Sequence, residues 1–449
     1  MKNAFLGVLF ASFSAGAALP EATAVSVSQS SGANRRVTIS YELSQAPAVI
    51  TVDIETNAAD GVWASIGPAA LLGDGVLVGR GALPNAVTGD VNRVVTGAGP
   101  HEIHWFPRLT WPDRLIRARK LRAVVTAWPT NMPPDYLVVD AREGVSDRLR
   151  YYPTTDWLPG GLFSNLAYRT THFVMRRIPA KFVPWEMGSC AFTISSEPYP
   201  TYYQNMPTPF PVVLSNDYYI GVFEVTQGQW TNVIPSYVSK KADPNFKVEG
   251  TLRPMENLYY QCIRESGNGS AVAAARYPSP PGEGSFLYAL RQRTGVDFDL
   301  PSEAQWEFAA RAGRTDFHWG SDLEYRLDQP PDRYKDTNGG VQNPDATVGP
   351  TNGTAVVGSY GPNDFGLYDM FGNVREFCLD YWQTTIWQHH GATNAAGETD
   401  LDGNAGAKRT CRGGAWNDAK GTLRYRRGQE PNKMNSSIGF RLVCRAGLE

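Results

Sequence analysis

Thiols and imidazoles are the side chains best suited to metal or redox chemistry, and this sequence has five cysteines and six histidines. Cys190, Cys262, Cys378, Cys411 and Cys444 form no CxxC pair and lack a histidine-rich spacing, which argues against a structural zinc site. Cys411 and Cys444 lie in two short apolar segments that could pair as strands, where a disulfide and two buried thiols are both open readings. The histidines (101, 104, 172, 318, 389 and 390) include no HxxxH or HExxH spacing. His101 and His104 are three apart in a strand pattern, so they face opposite sides and cannot easily chelate one metal. His389-His390 sits in a loop-like stretch and reads as solvated. Gly358-Ser359-Tyr360-Gly361 lacks the Gly-x-Ser-x-Gly register of a nucleophile elbow. Gly73-Asp74-Gly75 lacks the third glycine of a dinucleotide loop, and Asp400-Leu401-Asp402-Gly403-Asn404 has its glycine misplaced for an EF-hand. Trp382, Trp387 and Trp416 suit either a groove or packed core, and packing is the commoner fate of tryptophan.

The elements that must position such residues fall into two unlike halves. The 449 residues allow two or three domains. With 42% hydrophobic and 19% charged residues, the chain is neither mainly disordered nor coiled coil. A net charge of −2 without a basic block gives no electrostatic support for a nucleic-acid partner. Residues 1–24 carry one lysine, a short apolar run and small residues, the build of a secretory signal peptide. Cleavage after Ala18 or Ala24 fits that pattern and predicts a secreted, periplasmic or cell-surface protein. No apolar run is long enough for a membrane span. Residues 25–144 read as an immunoglobulin- or fibronectin-like β-sandwich, with strands around Arg36–Tyr41, Val49–Ile54, His101–Trp105 and Leu121–Trp128. Residues 145–170, rich in Pro, Gly and Thr, read as a linker. The second half, 171–449, has predicted helices at Ser302–Arg311 and Met255–Glu265 amid long Gly/Asn/Asp/Pro stretches, notably Thr315–Pro362.

Six segments of this half are specific in combination. They are Phe173–Pro179, Glu224–Trp230, Leu300–Ala309, Gly366–Phe377, Arg412–Trp416 and Gly439–Val443. In this order and spacing the chain resembles the formylglycine-generating enzyme (sulfatase-modifying factor) family over about Thr171 to Arg445. The resemblance implies an α+β, mostly β, C-type-lectin-like fold with little regular secondary structure and long loops tied by calcium. Hard cations suit such loops, because carboxylate and carbonyl oxygens replace missing ladder hydrogen bonds. Carried across residue by residue, the calcium ligands would be the side chains of Asp369 and Glu376 and the carbonyls of Gly372 and Val374. The competing reading is that Asp369 caps a turn and Glu376 pairs with an arginine.

Enzymes of this family oxidise a sulfatase cysteine to formylglycine using O₂ and copper(I) held by two cysteines, and soft thiolates suit that ion. Here the two cysteine positions fall on Asp418 and Leu423. The family's serine falls on Ala415, and the tryptophan of its Asn-Val-Trp-Glu-Trp motif is Arg375. Four departures in one pocket imply that copper-thiolate chemistry is absent. The implied alternative is a calcium-stabilised binding or scaffolding module presenting the former cleft, with Arg375, Ala415, Trp416, Asp418, Leu423 and Arg424, to a peptide, glycan or protein. The competing expectation is retained oxidation of a sulfatase-type cysteine by a different arrangement. Arg424-Tyr425-Arg426-Arg427 would lie beside that groove. It reads either as an anion- or peptide-binding stretch or as residues alternating between core and ion pairs.

Overall fold

The computed structural model describes residues 18–31, 35–57, 61–72, 86–110, 120–188, 209–235, 250–265, 280–313, 353–359, 361–382, 408–416 and 426–447. Alternation builds the N-terminal part. In β2 (Val37–Leu43) the odd-numbered residues are buried and Thr38, Ser40 and Glu42 face outward. One sheet orders β1 (Ala22–Gln29), β2, β7 (Gly99–Trp105) and β5 (Val87–Gly89). The second orders β4 (Trp63–Ser65), β3 (Ala48–Asn57) and β6 (Arg93–Val95), with β8 (Leu121–Pro129) paired along β3 from Ala48–Pro129 to Thr56–Leu121. Val37, Ile39 and Tyr41 from the first sheet share a core with Ile50, Val52 and Ile54 from the second, so the two sheets face each other as expected of a sandwich.

Two boundaries differ from expectation. Ala22 and Thr23 already pair with Leu43 and Glu42, so a boundary after Ala24 cuts into β1. At the other end, β9 (Tyr136–Asp140) and β10 (Leu149–Tyr152) belong to the sheet of the second half. That sheet runs β10, β9, β11 (His172–Ile178), β14 (Tyr218–Gly221) and β19 (Val443–Arg445). The sequence Tyr-Leu-Val-Val-Asp is buried at every position of β9 because strands flank it on both sides. The segment expected as a linker therefore contains β10 and two short 3-10 turns, Thr155–Trp157 and Leu166–Arg169. Its Pro, Gly and Thr mark turns, while Tyr151 is drawn inward against Tyr219, with ring centroids 6.5 Å apart.

A further sheet orders β17 (Arg426–Gln429), β16 (Arg409–Arg412), β15 (Arg375–Tyr381) and β18 (Ile438–Gly439). The strands β12 (Pro184–Met187) and β13 (Phe210–Val213) form a ribbon. Six short helices are described: α1 (Pro68–Leu72), α2 (Pro107–Thr110), α3 (Gln227–Val233), α4 (Tyr260–Arg264), α5 (Phe286–Thr294) and α6 (Glu303–Arg311). α6 starts as expected, on a Ser302–Gln305 capping box, and ends on left-handed Ala312. The helix expected over Met255–Glu265 shrinks to α4. Met255 donates its N–H to Val225 O, and Asn257 is left-handed at φ +57°, so helix can begin only beyond it. α5 was not expected, although Ser285 caps its start and left-handed Gly295 its end. It buries Phe286 against Trp230, ring centroids 4.7 Å apart and nearly parallel. No helix among the described residues is long and apolar enough to cross a membrane.

Candidate cation loop and adjoining cleft

The turn leading into β15 is held in an unusual backbone path. Asp369, Gly372 and Asn373 all have left-handed φ, at +57°, +82° and +54°. Gly372 donates its N–H to Gly413 O (2.8 Å), and Trp416 donates its N–H to Asn373 O (2.9 Å). The Asn373 side chain accepts from Ala355 N–H (2.8 Å) and donates to Glu224 Oε2 (2.7 Å). Glu224 Oε1 accepts the Val374 N–H at 3.2 Å.

Asp369 is 2% exposed. Its Oδ2 accepts the N–H of Gly358 at 2.6 Å, whereas Oδ1 is buried without a hydrogen-bond partner. Only glycine fits at 358. Its φ is +77°, and a Cβ there would meet the Phe163 and Phe223 rings at 2.6 Å. Glu376 Oε2 accepts from Arg441 Nε (2.6 Å) and Trp306 Nε1 (2.7 Å), and Oε1 accepts from Arg441 Nη2 (2.6 Å). Arg441 also donates to the carbonyls of Gly221 and Tyr368, both at 2.9 Å. Both parts of the competing reading are thus present: Asp369 caps a backbone N–H and Glu376 pairs with an arginine. Neither exhausts the oxygens, because a carboxylate has about four lone-pair sites.

Burial holds Glu224 well above the usual carboxylate range, and the neighbouring Asp369 and Glu376 carboxylates push it the same way. Burial also pushes Asp369 up to about 7, against the opposing pull of the Gly358 N–H and Arg441. Among the described residues, no group of three His, Cys, Asp or Glu side chains could hold a metal ion by itself. A cation here would need main-chain oxygens, which suits a calcium set of two carboxylates and the Gly372 and Val374 carbonyls. The buried, unpartnered Asp369 Oδ1 fits such an ion.

The adjoining cleft residues are packed rather than open. Arg375 is 2%, Ala415 0% and Trp416 8% exposed. Arg375 donates its backbone N–H to Ser437 O (2.9 Å) and its Nη1 to Ser437 Oγ (2.7 Å), and Trp416 Nε1 donates to Ser436 O (3.3 Å). The structure thus gathers Arg375 and Trp416 around Ser436–Ser437. Asp418, Leu423 and Arg424 lie outside the described residues, as do Cys190, Trp387 and the His389-His390 pair. Cys262, Cys378, Cys411 and Cys444 are buried, and none of the four is in a disulfide. Cys411 and Cys444 sit in different sheets, so the strand pairing considered for them does not form.

The reading of 424–427 as alternating residues holds at its described end. Arg426 is fully buried and Arg427 exposed. Arg426 bonds Glu303 through Nε and, at 2.6 Å, Nη2; Arg412 joins Glu303 (3.2 Å) to Glu307, which also accepts from Arg311 Nη2 (2.6 Å). Asp380 Oδ2 accepts the Glu303 N–H at 2.5 Å. Burial, and then the Glu303 carboxylate, push Asp380 up to about 7. Its folded value exceeds the unfolded value of about 3.9, so its contribution to stability is greatest in acid and is lost as pH rises from about 4 to 7. Asp380→Asn keeps the acceptor but removes the titration. The Tm difference between this variant and the native chain is expected to rise in the variant's favour between pH 5 and pH 8. A pH-independent difference in thermal melts would contradict this.

The described residues thus form a mostly β fold with few, short helices. The family model for the sulfatase-modifying factor enzyme 1-like domain matches residues 179–446, more than half of the chain, and the chain belongs to this family. It is similar to the formylglycine-generating enzyme of Thermomonospora curvata, 31% identical over 163 residues, which cover 32% of this chain and 52% of that protein. It is also similar to the Mus musculus formylglycine-generating enzyme, 27% identical over 295 residues, 59% of this chain and 75% of that one. The inactive C-alpha-formylglycine-generating enzyme 2 of Bos taurus is 30% identical over 158 residues, 33% of this chain and 44% of that one. The chain therefore spans about half the length of the bacterial relative.

Glu224, Trp306 and Arg441 were within the diagnostic segments but were given no role from sequence. For Glu224 and Arg441 the signal is a charge in an otherwise apolar context, Val-Phe-Glu-Val and Gly-Phe-Arg-Leu-Val; Trp306 carries none.

Proposed function

We propose that this chain is an exported, calcium-stabilised binding or scaffolding module for a peptide, glycan or protein, and that it performs no copper-thiolate oxidation. The observation that carries the second part is the state of its thiols. Asp418 and Leu423 stand at the family's cysteine positions, and every described cysteine is buried. Burial pushes the Cys378 and Cys411 thiols far up and Cys444 up to about 12. A soft-metal ligand must be a thiolate, and these thiols resist becoming one. For export, cleavage after Ala18 is the better of the two sites, since it leaves β1 whole.

Calcium stabilisation rests on the unpartnered Asp369 oxygen within its turn. An ion bound only by the folded state at a hundredfold excess over Kd adds about 2.7 kcal/mol. That corresponds to a Tm gain of about 5 °C in calcium chloride over EDTA. Asp369→Ala is expected to abolish the gain. An unchanged native Tm in EDTA, or an undiminished gain in the variant, would refute the assignment.

A further inference from the structure

We propose that Glu224 is a positioning residue of the calcium loop, fixing the peptide that carries the assigned carbonyl donors. This inference rests on the calcium reading above. Glu224 comes from the segment after β14, outside the loop, and is completely buried. Each of its two oxygens bonds the loop: one accepts from the Asn373 side chain (2.7 Å), the other from the Val374 N–H (3.2 Å). These two residues follow directly on Gly372, so Glu224 grips the backbone between the Gly372 and Val374 carbonyls. That backbone needs a grip, because Gly372 and Asn373 are consecutive left-handed residues and a side chain such as asparagine's adopts that conformation at a cost.

The hold extends to the acidic donor as well. Asn373, oriented by Glu224, accepts from Ala355 N–H at 2.8 Å. Ala355 lies three residues before Gly358, whose N–H donates to Asp369 Oδ2 at 2.6 Å. One run of hydrogen bonds therefore reaches from Glu224 to both kinds of assigned donor, while Asp369 Oδ1 stays without a partner. Groups that orient metal ligands in this way contribute about 10- to 100-fold to metal affinity.

The test is calorimetric titration of the full chain with calcium chloride, with Tm measured in EDTA alongside. Glu224→Ala is expected to weaken calcium binding by at least about tenfold. Glu224→Gln keeps one acceptor and is the variant more certain to fold; its affinity is expected to fall between those of native and alanine chains. Glu265→Gln removes the charge from a buried 2.8 Å ion pair with Arg409 that shares no residue with the loop. It is expected to lower the Tm in EDTA while leaving calcium affinity unchanged, which separates positioning from general stability. Native affinity in both Glu224 variants, or in Glu224→Gln alone if the alanine chain does not fold, overturns the proposal while the calcium reading stands. Absence of calcium binding by the native chain overturns both.

Discussion

Arg441→Met is expected to cost the C-terminal half more stability than loss of any surface charge. The Arg441 guanidinium sits among Glu376, Glu224 and Asp369, all completely or almost completely buried. It makes two 2.6 Å bonds to Glu376 and ties Gly221 and Tyr368 through their carbonyls. Methionine fills much of the space but leaves Glu376 with a single donor, Trp306. Breaking a buried pair by removing one partner costs about 3–5 kcal/mol. That is a large part of the roughly 5–15 kcal/mol that holds a typical domain folded. A Tm drop of about 6–10 °C, or loss of soluble protein, is the expected result. Chemical denaturation monitored by tryptophan fluorescence checks it. Lys433→Ala, which removes an exposed pair with Glu430, should by comparison show no measurable change.

The second large effect is expected at Glu303, the first residue of α6. Two fully buried arginines, Arg412 and Arg426, point their guanidinium groups at its carboxylate. Glu303→Leu removes the carboxylate that Arg426 bonds and one of the two that Arg412 bonds, so a loss of about 3–5 kcal/mol is expected. Removing Arg426 as well should restore part of that loss, because a buried pair replaced by apolar side chains is often near neutral. Glu303→Leu/Arg426→Leu is therefore expected to be more stable than Glu303→Leu alone. Strict additivity in a double-mutant cycle would show that the two groups do not interact.

Local signals in the sequence carried much of this fold. Strand alternation located β2, β3, β7 and β8, and capping chemistry placed α6 within one residue of its observed start. The misses have physical causes. Met255–Glu265 is helical in composition, but its first residues pair with Val225 and then turn through left-handed Asn257, a tertiary override of propensity. The 145–170 stretch reads as linker because turn residues dominate its composition, yet Tyr151 and Tyr152 are bought into the core by strand pairing with β9.

At the site, family spacing gathered Asp369, Gly372, Val374 and Glu376 in one turn, but no local pattern revealed their neighbours. Glu224 lies about 150 residues upstream of Asn373, and Arg441 lies 65 residues downstream of Glu376. Such partners become visible only when the chain is folded, since hydrogen-bond geometry has no short-range sequence signature. The substitutions at Arg375 and Ala415 are legible in the sequence, whereas the packing of the described members of the expected cleft is not. Arg375 turns inward to Ser437, and both Arg375 and Trp416 are packed away.

The absence of copper-thiolate catalysis is the central claim, and one assay addresses it directly. The purified full chain is incubated under air with copper(I) and a peptide containing Cys-x-Pro-x-Arg, and the peptide mass is followed beside the Thermomonospora curvata formylglycine-generating enzyme. Since the family resemblance puts Asp418 and Leu423 where the copper-binding cysteines would stand, the peptide incubated with this chain is expected to keep its cysteine. Formylglycine appearing at a rate comparable to that of the bacterial relative would contradict the account.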